Sequence, residues 1–205
     1  PTAARGHFTS GGTVANFEGV WRARYRLDHW LSLALWIAET TGEPLNVFEA
    51  AHMGWTRYAG LVKQHAPDPD ALRNCSAVAG NPADVFRRLS RAAGHDYLGP
   101  VVLVPASKHF SWRKAANVFG LGEEAFWEIG LDAEGRFDLA DLERRVSQAE
   151  AAARPVLAVV SVAGTTETGD IDPIDRIADR LEHWQTERGW RIWHMSMPPM
   201  AVSCA

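Results

Sequence analysis

The feature that most constrains the fold is an apolar run, PVLAVVSVAG, at residues 155–164. A continuous run of this length, rich in valine and ended by glycine, is typical of a strand that is buried on both faces. A second run, VVLVPA at residues 101–106, has the same character. Strands of this kind belong to parallel sheets that carry helices on their faces, so the sequence predicts an α/β fold.

The segments around these two runs alternate as such a sheet requires. FWEIGLD at residues 126–132 predicts another strand, and a helix is expected from about Asp138. Apolar side chains then recur at helical spacing, at Ile174, Ile177, Ala178, Leu181 and Trp184. The next short strand is expected at Trp190–Trp193. The predicted fold class is α/β, with a mainly parallel sheet covered by helices.

Composition excludes several classes of protein. With 25 acidic and 21 basic residues the formal net charge is -4, which argues against a nucleic-acid partner. No apolar run approaches the roughly 20 residues of a membrane-spanning helix, so no membrane partner is expected. The two cysteines, Cys75 and Cys204, are too few for a disulfide framework, and a reducing cytoplasm is the expected compartment. No histidine or cysteine spacing predicts a metal site.

Three polar segments lie beside predicted strands and helix starts, where ligands bind in open α/β sheets. They are Ser10–Thr13, Ser107–Ser111 and Gly164–Thr168. We expect them to converge on one site.

The first segment, Ser10-Gly11-Gly12-Thr13, is a glycine turn that opens a helix. Glycines let backbone N–H groups approach a phosphate, and the start of a helix adds positive potential. Ser10 or Thr13 is also able to cap the helix, so an ordinary capped turn explains the same residues. The segment is not a P-loop, because no Gly-Lys-Ser/Thr follows it.

His109 in the second segment follows a predicted buried strand. An imidazole there can stack on a flat ligand or move a proton, although a structural or exposed histidine is the commoner outcome for a lone histidine. Ser111 is expected to cap the next helix, and Gly120 or Gly122 to end it.

The third segment follows the strongest strand signal and contains Thr166. Its hydroxyls can meet a polar ligand at the edge of the sheet, or form only a hydrogen-bonded turn. The acids Asp170, Asp172 and Asp175 are expected to complement the dipole of the helix that follows rather than to act as a catalytic pair.

Four segments together resemble the pyridoxal-phosphate-dependent decarboxylases of the glutamate and aromatic amino acid decarboxylase group. They are FTSGGTVAN with the following Arg-Ala-Arg, SKHFSWRKAANVFGLG, GRFDLADLE and VSVAGTTETGDIDPIDRIAD. The resemblance covers roughly residues 6–24 and 99–193 and implies part of the large domain of a fold-type I enzyme. Residues 25–98 are helical in pattern and are expected to be an insertion.

The resemblance also implies a cofactor, pyridoxal 5'-phosphate, and the residues that hold its phosphate. The backbone of Gly12 and the backbone and hydroxyl of Thr13 would bind it. Ser10 and Gly11 complete the expected phosphate-binding segment.

Two more residues receive roles from the resemblance. His109 would stack over the pyridine ring and assist chemistry at the substrate α-carbon, and Thr166 would lie near the ring. The implied activity is decarboxylation of an amino acid of unidentified side chain, by a homodimer with its site at the interface. An aminotransferase or lyase of the same fold, and a truncated protein without activity, are the alternatives.

The end of the chain departs from the family. There the last predicted strand leads into His-Val-Asp-Ala-Ala-Tyr-Gly-Gly, whose Asp pairs with the pyridine nitrogen, and a cofactor-binding lysine follows. Residues 194–205 here read HMSMPPMAVSCA. One set of codons allowed for His194–Cys204, read from its third base, encodes the family motif. We therefore expect a frame-shifted tail over residues 194–205, and an incomplete, inactive domain over residues 1–205.

Overall fold

The computed structural model of the protein describes residues 9–164 and 169–197. The helices in these ranges are α1 (Gly12–Thr41), α2 (Val47–Ala51), α3 (Gly54–His65), α4 (Pro69–Asn74), α5 (Pro82–Ala93), α6 (Ser111–Val118), α7 (Leu139–Ala151) and α8 (Ile174–Arg188). The strands are β1 (Val101–Pro105), β2 (Phe126–Ile129), β3 (Val156–Val162) and β4 (His194–Met197). None of these helices has the length and apolar character of a membrane span.

The four strands form one parallel sheet in the order β2-β1-β3-β4. Leu103 at the centre of β1 pairs with Trp127 of β2 on one side and with Val159 of β3 on the other. Every residue of β1 and β3 is buried. The α/β prediction and the two buried-strand predictions are therefore confirmed.

The last strand lies later in the chain than predicted. The sequence indicated a strand at Trp190–Trp193, but those residues precede β4 and pack on helices: the Trp190 indole donates to Glu49 at 2.8 Å. The Trp193 carbonyl oxygen accepts from the Val159 N–H of β3 at 2.8 Å, so pairing with β3 begins at the last residue of the predicted strand and continues through β4. Ser196 of β4 pairs with Ser161 of β3 instead. In the described residues β4 has a neighbouring strand on one side only, so the backbone groups of its other edge have no strand to pair with there.

Residues 25–98 are helical, as their pattern predicts. Helix α1 runs across the boundary at Tyr25 without a break, and its buried Trp30 and Leu31 share one apolar cluster with Val102 and Leu157 of the sheet. These residues therefore contribute to the core that covers one face of the sheet. Their interpretation as an insertion stays a prediction.

A buried carboxylate ties α1 to the loop after α4. Asp28 accepts hydrogen bonds from the Ser76 hydroxyl at 2.5 Å and from the backbone N–H groups of Ala77 and Val78 at 2.7 and 3.2 Å. Burial raises the pKa of this carboxyl, while the three hydrogen bonds oppose the shift. The loop is thereby held against α1.

His52 joins the end of α2 to the start of β3. It is 0% exposed, and its Nδ1 lies 2.7 Å from the Phe48 carbonyl oxygen. The backbone N–H of Val156 donates to its Nε2 at 3.1 Å. In the neutral form Nδ1 donates to Phe48 and Nε2 accepts from the Val156 N–H, while the Val156 carbonyl oxygen also lies 3.2 Å from Nε2. Burial outweighs the two backbone contacts that favour the charged ring and lowers the pKa of His52 to about 4.

Because of His52, we expect the folded protein to lose stability in acid. The folded protein takes up a proton on His52 less readily than the unfolded chain, whose histidine pKa is near its ordinary value. The stability that the neutral ring confers is complete above about pH 6.5 and is lost as the pH falls towards about 4. Between about pH 7 and pH 5 we expect the free energy of unfolding to fall by about 2 kcal/mol more than in His52→Gln.

Urea unfolding of the two proteins at each pH measures this difference. Burial raises the pKa values of Asp28 and Asp172, so these two carboxyls favour the folded state as the pH falls. Their contribution is the same in the parent protein and in His52→Gln, so it cancels in the comparison. Identical pH dependence in both proteins would contradict the assignment. A proton NMR titration that finds His52 protonated at pH 6 would also contradict it.

Candidate functional site

The predicted phosphate-binding segment forms the start of α1. Gly11 precedes the helix with φ 154° and ψ 166°, a backbone conformation that is essentially restricted to glycine. The expected cap by Ser10 or Thr13 is wrong, because the helix start has no side-chain cap hydrogen bond among the described residues. Ser10 is exposed before the helix, and Thr13 already lies within its first turn. The capping side chain must come from the residue directly before the helix, and here that residue is Gly11, which has no side chain.

The described residues leave space at this helix start. A Cβ built on Gly11 or Gly12 would meet no atom within 4 Å from the described part of the chain, apart from the adjoining residues and the backbone of the helix itself. The first N–H groups of an α-helix have no partner within the helix, and here no side chain of the described residues replaces one. An oxyanion is the ligand that such a helix start favours.

His109 lies in the turn between β1 and α6. Its Nδ1 is 2.9 Å from the Ser111 hydroxyl, and the Ser111 backbone N–H donates to the same nitrogen at 3.2 Å. Because Nδ1 accepts, the proton of the neutral ring is on Nε2. The predicted cap by Ser111 is wrong, because α6 begins at Ser111 itself and Phe110 precedes it. The hydroxyl is used to orient His109 instead.

A buried amide connects this histidine to α1. Asn16, 5% exposed and one turn into the helix, donates through Nδ2 to the Ser111 hydroxyl at 3.1 Å. The same Nδ2 lies 3.8 Å from the sulfur of Met197, to which the Trp112 indole N–H donates at 3.2 Å. The first turns of α1 and α6 and the end of β4 therefore meet at one place.

Sequence reasoning missed three members of this cluster: Asn16, Trp112 and Met197. The available signal was Asn16, a polar residue on the apolar stripe of α1 that continues through Val20 and Ala23. A buried polar side chain on such a stripe needs a hydrogen-bond partner. The identity of that partner depends on tertiary contacts and is not visible in the local pattern.

The segment after β3 is described only in part. Gly164 follows the strand, whereas Thr166 lies outside the described residues. Asp172 beyond it is buried and accepts from the backbone N–H groups of Val162 at 2.7 Å and Phe137 at 3.0 Å. The prediction that Asp172 complements the dipole of α8 is therefore wrong, because its carboxylate binds the backbone N–H groups of Val162 and Phe137 instead. Asp175 does lie in the first turn of α8, as predicted. Burial raises the pKa of Asp172.

The lysines lie in other environments. Lys108, next to His109 in sequence, forms an ion pair with Glu128 of β2. The ammonium of Lys114 lies 4.9 Å from the centre of the Phe110 ring, and Lys63 is on α3. The amine closest to His109 along the chain is thus already bound to a carboxylate.

Comparison with known proteins gives consistent matches. The family model of the pyridoxal-dependent decarboxylase conserved domain matches residues 84–193. An L-tyrosine decarboxylase of Levilactobacillus brevis is 33% identical over 184 residues, which are 89% of this chain and 27% of that protein. An aspartate 1-decarboxylase of Aliivibrio fischeri is 30% identical over 189 residues, 90% of this chain and 26% of that protein. The chain thus spans about a quarter of the length of these curated relatives.

A solved structure supports the fold. The glutamate decarboxylase domain of diaminobutyrate-pyruvate transaminase and L-2,4-diaminobutyrate decarboxylase from Vibrio parahaemolyticus matches with a TM-score of 0.52 at 24% identity. The match covers 93% of this chain and 29% of that one.

Proposed function

The chain belongs to the pyridoxal-dependent decarboxylase family, and we propose that the complete protein releases the carboxylate of an amino acid as carbon dioxide, with pyridoxal 5'-phosphate as cofactor. The observation that carries the proposal is the meeting of an open helix start and an oriented histidine, joined through Asn16 and Ser111. The relatives are named for tyrosine and aspartate, which supports an amino acid as the substrate class.

The start of α1 fits the phosphate of this cofactor. Its uncapped N–H groups are donors for an oxyanion, and the open space at Gly11 and Gly12 leaves room for one. We assign phosphate binding to the backbone of Ser10, Gly11 and Gly12 and to the backbone and hydroxyl of Thr13. A helix of 30 residues adds its dipole to this binding.

His109 fits the ring side of the site. When bound, pyridoxal phosphate accepts the electron pair that is released as the carboxylate leaves. We assign to His109 stacking on the ring and proton transfer at the substrate α-carbon, because Ser111 holds Nδ1 and leaves Nε2 free to exchange a proton. Thr166 is assigned a place near the ring from the family resemblance.

The pyridine-binding aspartate and the cofactor-binding lysine are proposed to lie in a different reading frame. In the shifted frame the codon of the motif's aspartate would span the codons of Ser196 and Met197. The strand itself is in place beside β3, which supports a coding region that once carried the motif.

Assembly and compartment follow from the same family. We propose a homodimer, which the exposed aromatic side chains of Trp21, Tyr25 and Trp55 support as a surface suited to burial. A cytoplasmic location is proposed as well, and Cys75 is a free thiol.

Two measurements test the proposed function. The first is the DNA sequence beyond the last codon in all three frames, where we expect a shifted frame to continue with the aspartate motif and a later lysine. The second is product analysis with that complete protein, pyridoxal phosphate and a panel of amino acids. Carbon dioxide with the matching amine is the expected product. A keto acid would indicate an aminotransferase of the same fold, and closed frames would overturn the frame-shift proposal.

A further inference from the structure

A buried guanidinium on α1 lies away from the site described above. Arg26 is 7% exposed, and it donates from Nη1 to the Arg191 carbonyl oxygen at 3.1 Å and from Nη2 to that of Leu157 at 3.5 Å. Its Nε is buried without a hydrogen-bond partner in the described part of the chain. Residues 9–164 and 169–197 supply it with no carboxylate. A buried cation of this kind normally has an anionic partner.

Two indole rings enclose the guanidinium. Its central carbon lies 4.7 Å from the ring centre of Trp30 and 5.3 Å from that of Trp193. The indole Nε1 of each ring is also buried without a partner in the described residues. The unpartnered nitrogens here are thus the guanidinium's own Nε and the two indole Nε1 atoms beside it, and all three are donors. A buried group of donors without an acceptor is unfavourable, and an acceptor from outside these residues would complete it.

Arg26 and Trp193 line a cavity of about 500 Å³. The side chain of Arg191 lines it too, and desolvation together with this second cation lowers the pKa of Arg26 to about 9. Trp55, Leu181 and Ile192 supply an apolar wall. The lining of the cavity thus combines two guanidinium groups with a surface suited to a hydrocarbon group, and it also contains the carboxylate of Glu182 and the amide of Gln185.

We propose that this cavity binds a small carboxylate that carries an apolar or aromatic group. The carboxylate would pair with the guanidinium groups of Arg26 and Arg191, which line the cavity, and its negative charge would offset both. The hydrocarbon part would pack against Trp55, Leu181 and Ile192. Arg26 lies 14 residues after Gly12 on α1, about 21 Å along the helix axis, so this site is separate from the phosphate-binding segment.

The test is a titration of the protein with benzoate, and with benzamide as an uncharged ligand of the same shape. Indole N–H signals in ¹H–¹⁵N NMR spectra report on the site directly, and Trp193→Phe identifies the Trp193 signal. We expect benzoate to shift this signal in a saturable manner and benzamide to leave it unchanged. Neither the cofactor nor catalytic activity is required, so failure of the proposed function would not affect the result.

Variants test whether Arg26 binds the carboxylate of benzoate. Arg26→Gln is expected to weaken benzoate binding at least about tenfold, as for loss of a charge-assisted hydrogen bond. Arg22→Gln, an exposed arginine one turn earlier on α1, is the matched control and should bind as the parent protein does. If Arg26→Gln does not fold, the exposed Arg191→Gln should still weaken binding severalfold. Absence of a benzoate-dependent shift, equal binding of benzamide, or unchanged affinity in the Arg26 and Arg191 variants would overturn the proposal.

Discussion

Replacement of Trp112 by alanine is expected to lower the free energy of unfolding by about 4 kcal/mol. The side chain is 1% exposed and packs in the apolar cluster between α1 and the sheet, with its ring centre 6.2 Å from that of Phe126. Alanine would leave a large cavity beside a sheet that cannot collapse to fill it. Urea unfolding monitored by circular dichroism measures the loss.

Trp21→Ala, at an exposed position of α1, is the matched control. Trp21 is 53% exposed, and its replacement is expected to cost less than about 1 kcal/mol. Trp112→Phe keeps an aromatic ring but removes the N–H that points to the Met197 sulfur together with part of the indole, so its cost should lie between the two. Equal losses for Trp112→Ala and Trp21→Ala would contradict the placement of Trp112 in the core.

The buried centre of the fold could be predicted because its composition reflects burial on both faces. β1 and β3 lie between other strands and beneath helices, so almost every position is apolar, and this is visible in the sequence alone. β4 has one neighbouring strand in the described residues, and its sequence HMSM carries no such signal. The apolar residues just before it, packed on helices, were mistaken for the strand.

The polar residues were harder to predict because their partners are distant in sequence. Ser111 follows the local preferences of a helix cap, but its hydroxyl binds His109 and accepts from Asn16, 95 residues earlier. Asp172 resembles a helix-start acid and instead binds the amide of Phe137. His52 has one local partner, Phe48, but its other partner, Val156, is 104 residues away. The sequence could suggest candidate site residues, whereas their hydrogen-bond partners required the fold.

His109→Ala is expected to slow carbon dioxide release by the complete, frame-restored protein by about 10²- to 10⁴-fold, the usual contribution of a general acid or base. The reason is that the neutral ring, with Nδ1 bound by Ser111, presents Nε2 as the group that exchanges a proton. Rates at saturating substrate should fall while cofactor binding, followed by absorbance, is largely retained. His183→Ala, which removes an exposed histidine on α8, should leave the rate unchanged.

Ser111→Ala tests how far the orientation of the His109 ring contributes to the rate, with the imidazole itself kept. The hydroxyl touches His109 and Asn16 but is not assigned any contact with the substrate, so its removal should cost less than loss of the imidazole, about tenfold in rate. Because the Ser111 backbone N–H still donates to Nδ1, part of the orientation persists. The pH profile should shift in Ser111→Ala if Nε2 carries the transferred proton, since Nδ1 loses one of its two partners. Full activity in His109→Ala would refute the catalytic assignment, and a pH profile unchanged by Ser111→Ala would refute the positioning role of Ser111.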